Sequence, residues 1–167
     1  MKNLLYIFLV FGILFSSCEE ETDDPFNPTS SFSCKIEGVQ LSDSSPLGRI
    51  DTVTTINGQL NPYFGALEIS ATSNLLGARV MNTVSLTIND FSSVTENTPI
   101  SLGSSGSGQV WQGADIYSTE IPSYTGTVSF SKIAANKVSG TFEFDARDQS
   151  TSAIVEVTEG SFSNVSY

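Results

Sequence analysis

Two carboxylates set two residues apart, Glu143 and Asp145 in Thr141-Phe142-Glu143-Phe144-Asp145-Ala146, are the pair whose spacing comes nearest to a catalytic arrangement. On a strand they would share one face with ~7 Å between them. Such a pair could serve as the acid and base of a glycosidase. The plainer reading is a solvated strand face, with Phe142 and Phe144 turned into a core. Asp145, Asp148 and nearby carbonyls could offer calcium its hard oxygen ligands, yet their spacing matches no standard calcium loop. Cys34 lies in Phe32-Ser33-Cys34-Lys35-Ile36, on the same alternating face as Phe32 and Ile36. It reads as a small buried hydrophobe. A nucleophilic thiol or hydroxyl needs a base, and the chain has no histidine. That excludes Ser-His-Asp and Cys-His catalysis and the imidazole ligands of zinc. No P-loop occurs, and no Gly-x-Gly-x-x-Gly leads from a strand into a helix. The expectation is a chain with no catalytic residue, no cofactor and no metal, and so not an enzyme.

Recognition is the other chemistry that side chains can do. Trp111, Tyr117 and Tyr124 are the candidates for ligand contact, and Trp111 and Tyr117 share strand parity if no bulge intervenes at Gly113. Exposed aromatics on a β face stack on sugars or peptides, whereas buried ones fill a core. Tyr63 and Phe64, beside Pro62, pose the same question. In all five cases core filling is the simpler expectation.

Strands must position these residues. No segment has helical periodicity, while alternation of Thr, Ser, Val, Ile and Phe runs throughout. The expected strands are residues 32–39, 49–56, 66–72, 83–89, 99–102, 109–118, 126–133, 138–146, 152–158 and 160–167. Asn57-Gly58 is the strongest hairpin signal, Asn61-Pro62 a further bend, and Gly103 to Gly108 a flexible loop. The strand at 109–118 is expected to bend at Gly113. Nine or ten short strands about ten residues apart predict an all-β domain, an antiparallel β-sandwich or a small β-barrel with a C-terminal meander.

The first thirty residues have a different character. Met1-Lys2-Asn3 is a short positive start, Leu4 to Phe15 an apolar run, and Ser16-Ser17 a small-residue site followed by Cys18. This is the layout of a secretory signal, too short to span a bilayer, which needs ~20 apolar residues. Leu14-Phe15-Ser16-Ser17-Cys18 resembles the lipobox of bacterial lipoproteins. The resemblance implies cleavage before Cys18 and acylation of its thiol, with palmitate among the chains added. Two or three acyl chains at ~0.8 kcal/mol per CH₂ make a durable anchor, whereas one does not. Glu19-Glu20-Glu21-Thr22-Asp23-Asp24 then repels itself and cannot pack. It is similar to the export signal of Bacteroidota surface lipoproteins, which implies the outer face of the outer membrane. The expected division is a signal at residues 1–17, a lipidated cysteine and acidic tether at 18–30, and one β domain at 31–167.

Removing the signal leaves about 150 residues, enough for one self-sufficient core. With Cys18 lipidated, Cys34 has no partner for a disulfide. The net charge of −11, with no basic cluster, argues against nucleic acid and anionic headgroups as partners.

Phe32-x-Cys34-Lys35-Ile36-x-Gly38, Gly140-Thr141-Phe142-x-Phe144-x-Ala146 and Val155-x-Val157-Thr158-x-Gly160-x-Phe162 resemble a family of small Bacteroidota lipoproteins of uncharacterised function. The resemblance implies an envelope location and an all-β fold and brings no catalytic residues. The leading expectation is a surface-exposed module that binds a glycan or protein without chemistry. The alternatives are a structural or assembly accessory of an envelope complex and a hydrolase working by carboxylates alone.

Overall fold

The computed structural model describes residues 30–42, 51–74, 81–121 and 124–167. The signal, Cys18, the acidic run and most of the links between the strands expected at 32–39 and 49–56 and at 66–72 and 83–89 lie outside the described residues. Within them the chain is mostly strand, in one eleven-stranded sheet that is antiparallel at every pairing but one and curled into a half-barrel.

The chain opens with β1 (Ser31–Ile36). Glu37 (φ 50°) and Gly38 (φ 77°) then reverse it. Both central residues have positive φ, as a two-residue turn that follows the strand twist requires. β2 (Val39–Ser42) returns beside β1, so the strand expected to run to Val39 is instead a hairpin. β3 (Asp51–Asn61) starts parallel to β2, with Leu41 against Asp51 and Ser42 against Thr52.

β3 runs straight through Asn57-Gly58, against the hairpin expected there. The glycine answers a different need. A Cβ on Gly58 would lie 2.3 Å from the backbone oxygen of Ser166, because the end of the last strand presses on it. The reversal comes at Pro62 to Gly65, where the side chain of Asn61 accepts the N–H groups of Tyr63 and Phe64. β4 (Ala66–Asn74) and β5 (Met81–Ile88) follow, then a single 3-10 turn at Phe91–Ser93 and a short edge strand, β6 (Ile100–Leu102).

Only Gly103 to Ser105 of the expected glycine-serine loop is a turn. Gly106 and Gly108 already belong to β7 (Gly106–Gln112). Side chains there would strike the Thr87 carbonyl and the ring of Phe144. Gly113 does not bend one strand but divides two. With φ of 64° it opens the turn to β8 (Asp115–Ser118). β9 (Gly126–Ala134), β10 (Lys137–Asp148) and β11 (Ile154–Ser166) form the expected meander. β11 passes through Glu159 (φ 52°) as one bulged strand where two were expected.

The strand order is β11-β1-β2-β3-β4-β5-β7-β8-β10-β9-β6, and β10 also pairs with β11, so the ladder returns on itself. One long arc is β3-β4-β5-β7 and the other β9-β10-β11-β1. The seams between them are short: β2 against β3, and Ser118 and Tyr117 of β8 against Arg147 and Asp148 of β10. Inward residues of both arcs meet in one core. Leu67, Ile69, Ala71, Val84, Leu86 and Val110 face Phe32, Val128, Phe130, Phe142, Phe144, Val157 and Phe162. Aromatic rings join this core at centroid distances of 5.2 Å (Phe32 and Phe142), 5.6 Å (Phe130 and Phe162) and 5.4 Å (Phe91 and Phe130), within the range where ring pairs add to area burial.

Candidate functional site

Strand pairing sorts the outward side chains of β4, β5, β7, β8 and β10 into two rows. One runs Ser70, Ser85, Gln109, Ser118, Arg147 and on to Ile154 of β11. The other runs Thr72, Thr83, Trp111 and Ile116. Between them an inward row, Ala71, Val84, Val110, Tyr117 and Asp148, is buried. The outer face is therefore mostly hydroxyls and amides, with one indole and the Arg147 guanidinium among them.

Trp111 is 44% exposed and has exposed Ile116 beside it. Its indole N–H donates to Gln109 Oε1 at 3.4 Å, which lays the ring along the sheet. Next to it is an open cleft of about 370 Å³ lined by Gln109, Ile116, Ser118, Glu120, Arg147 and Gln149. On the cleft's far side the Arg147 guanidinium lies 5.7 Å from the ring centroid of half-buried Tyr124 and donates to Ser152 Oγ at 2.6 Å. Amide, hydroxyl, guanidinium and carboxylate groups thus converge beside an aromatic plate.

Tyr117 does not join them. A two-residue turn at Gly113 and Ala114 pairs Gln112 with Asp115, Trp111 with Ile116 and Val110 with Tyr117. Paired residues share a face, so Tyr117 falls with Val110 on the inside, only 9% exposed. The parity shared with Trp111 held only for an unbroken strand. Burial first, then the charges of Asp115, Asp148 and Glu37, pushes the Tyr117 hydroxyl above its ordinary range.

The carboxylate pair of β10, Glu143 and Asp145, stays apart from this cleft. Glu143 and Asp145 point outward from β10, and Asp145 sits opposite Glu156 of β11. A wider depression of about 480 Å³ holds all three, together with the hydroxyls of Ser101, Thr127 and Thr158. No outward aromatic and no cation stands among its lining residues. Asp148 cannot join Asp145 around a calcium ion, because the two point to opposite faces of β10. Its Oδ1 instead accepts the N–H and hydroxyl of both Ser150 and Thr151, which shapes the last turn. These hydrogen bonds, the Ser150 hydroxyl foremost, hold the carboxyl down at about 2. Among the described residues no three carboxylates or thiols gather as a metal site. Cys34 is buried, and burial pushes its thiol up to about 12.

Tyr63 and Phe64 are not core residues. They are 91% and 79% exposed at the tip between β3 and β4. Trp111 and Tyr124, contact candidates of the sequence, flank the cleft without lining it. Gln109 could have been added from its parity with Trp111. Ser118 and Arg147 could not, because their places depend on the turn at Gly113 and on a strand that arrives 29 residues after Ser118.

A family model described as a domain of unknown function, DUF6252, matches residues 51–166. No curated protein and no solved structure matches the chain.

Proposed function

Taking as premise the DUF6252 family, to which the chain belongs, we propose a lipid-anchored recognition module of the cell envelope that performs no chemistry. Acyl chains on Cys18 hold it to the outer membrane, and the acidic run presents it to the exterior. The domain binds a hydroxyl-rich ligand, a glycan, across Trp111 and the adjoining cleft.

The observation that carries this reading is Trp111 lying exposed on a sheet face of hydroxyls and amides. A buried aromatic needs no ligand to account for it, whereas an indole plate beside amides and a guanidinium suits a sugar ring. The apolar face of the sugar stacks on the ring while its hydroxyls find Gln109, Ser118 and Arg147.

Trp111 is the chain's one tryptophan, so its emission reports directly on the site. In a titration against a glycan panel, at least one member should shift or quench that emission. Trp111→Ala should then weaken binding of the same glycan roughly 30-fold, the effect of losing a ~2 kcal/mol anchor. Unchanged emission across the panel, or a Trp111→Ala protein that binds as before, removes the reading. The address is checked separately. Palmitate label should enter the wild type and not Cys18→Ser, and proteases added to intact cells should remove the domain.

A further inference from the structure

The tip between β3 and β4 places two large aromatics in water for no reason internal to the fold. Tyr63 and Phe64 are 91% and 79% exposed, and half-exposed Leu60 stands just below them. The tip is held firmly. Asn61 Oδ1 accepts the N–H of Tyr63 at 3.0 Å and of Phe64 at 3.3 Å. The Gly65 N–H donates to the Asn61 carbonyl at 2.8 Å, and the Phe91 N–H donates to the Gly65 carbonyl at 2.8 Å. Its rings are thus presented outward from a fixed backbone. From Leu60 to Ala66 there is no charge, in a chain whose net charge is −11.

The end of the half-barrel that carries this tip is also where the tether enters. Ser30 is tied to that end by its hydroxyl, which donates to the Asn164 carbonyl. Ser33 lies level with Ser42, and Ser42 with Thr52, which sets Ser30 level with Thr55. From there β3 continues about six residues to Asn61, ~20 Å at the rise of a strand. Eleven residues separate Cys18 from Ser30; a chain of that length would span ~20 Å as a relaxed coil and at most ~40 Å fully drawn out. The tip therefore reaches the plane of the anchoring lipid without stretching the tether.

We propose that Tyr63 and Phe64 are a membrane foot: they enter the headgroup layer of the bilayer that holds the lipid on Cys18. The foot fixes the domain's orientation and keeps the Trp111 cleft clear of the membrane. Aromatic side chains of this kind settle at the boundary between headgroups and acyl chains, and the absence of charge from Leu60 to Ala66 suits a zwitterionic surface. Tyrosine places its hydroxyl among the headgroups while phenylalanine goes deeper. The inference rests on the lipid anchor proposed above.

The test uses the full-length lipidated chain in phosphatidylcholine vesicles, with and without brominated acyl chains. Phe64→Trp adds a second indole at the tip, and comparison with the wild type isolates its emission from that of Trp111. Most of the added emission should be lost in brominated vesicles, while Trp111 stays bright. A chain that floats with the vesicles but keeps the added emission overturns the foot and leaves the anchor standing. A chain that does not float overturns the anchor and the foot with it. Tyr63→Ser with Phe64→Ser should melt at the wild-type temperature and still float, yet lose the fixed orientation, read as faster rotational depolarisation of Trp111. Should that double variant keep its orientation and lose capture of an envelope protein instead, the tip is a protein-docking site and the foot is overturned.

Discussion

Asp148 turns its carboxylate into the bend before β11, where the Ser150 and Thr151 donors all stabilise the ionised form. Folded, the group titrates at about 2, against ~3.9 for an unfolded aspartate. A folded value below the unfolded one means that the stabilisation is complete above the unfolded value and is lost as pH falls through the folded one. Urea midpoints of the wild type should therefore decline between about pH 4 and about pH 2. Asp148→Asn keeps Oδ1 but has no proton to gain, so it should start lower at neutrality and lose that part of the decline. Parallel curves for the two proteins would show that the turn ignores the charge. Cys34 offers a second check at this scale. Its thiol, pushed up to about 12 by burial, should resist a disulfide reagent near pH 8 until denaturant is added, because only the thiolate attacks. Prompt labelling of folded protein would contradict the buried placement. The inward direction of Cys34 was legible from parity alone. The outward direction of Trp111 was not, since an indole suits a core as well as a surface.

Turns decided which elements the sequence could and could not announce. Leu67, Ile69 and Ala71 in β4 and Val84, Leu86 and Ile88 in β5 alternate with polar neighbours, as Phe142 and Phe144 do in β10, and all are buried. Asn57-Gly58 carried the composition of a hairpin yet lies inside β3, because what the glycine answers is the approach of β11. Such a long-range contact leaves no local trace. Glu37-Gly38, through which the strand at 32–39 was expected to run, is a real reversal. These assignments make a paired prediction. Asn57→Ala, at an exposed strand position, should change stability by no more than ~0.5 kcal/mol. Gly58→Ala should cost about 1–3 kcal/mol, since its methyl meets the Ser166 backbone. Chemical denaturation of the two variants measures both, and the opposite order would restore the turn.

Over the whole molecule, the partners that close the sheet are far apart in the chain. Phe32 lies opposite Phe162 and Ser31 opposite Ser163, and β11 is gripped by β1 on one side and β10 on the other. Fold class was legible from strand composition and spacing. The order of strands was not, because periodicity says which face of a strand is buried and nothing of its neighbour. Non-local pairing of this kind delays folding, since loops must close before contacts reward them. Refolding after dilution from denaturant should take milliseconds to seconds. Deleting residues 154–167 should leave a chain with no cooperative transition, as both β1 and β10 lose an edge. A microsecond refolding phase, or a truncated chain that melts sharply, would contradict the closed ladder.

That clasp by β11 also bears on the order of events during synthesis. β1 and β10 both precede β11 in the chain, and each is left with a bare backbone edge until it arrives. Such edges invite pairing with stray strands, so a chaperone that covers extended segments would suit this nascent chain.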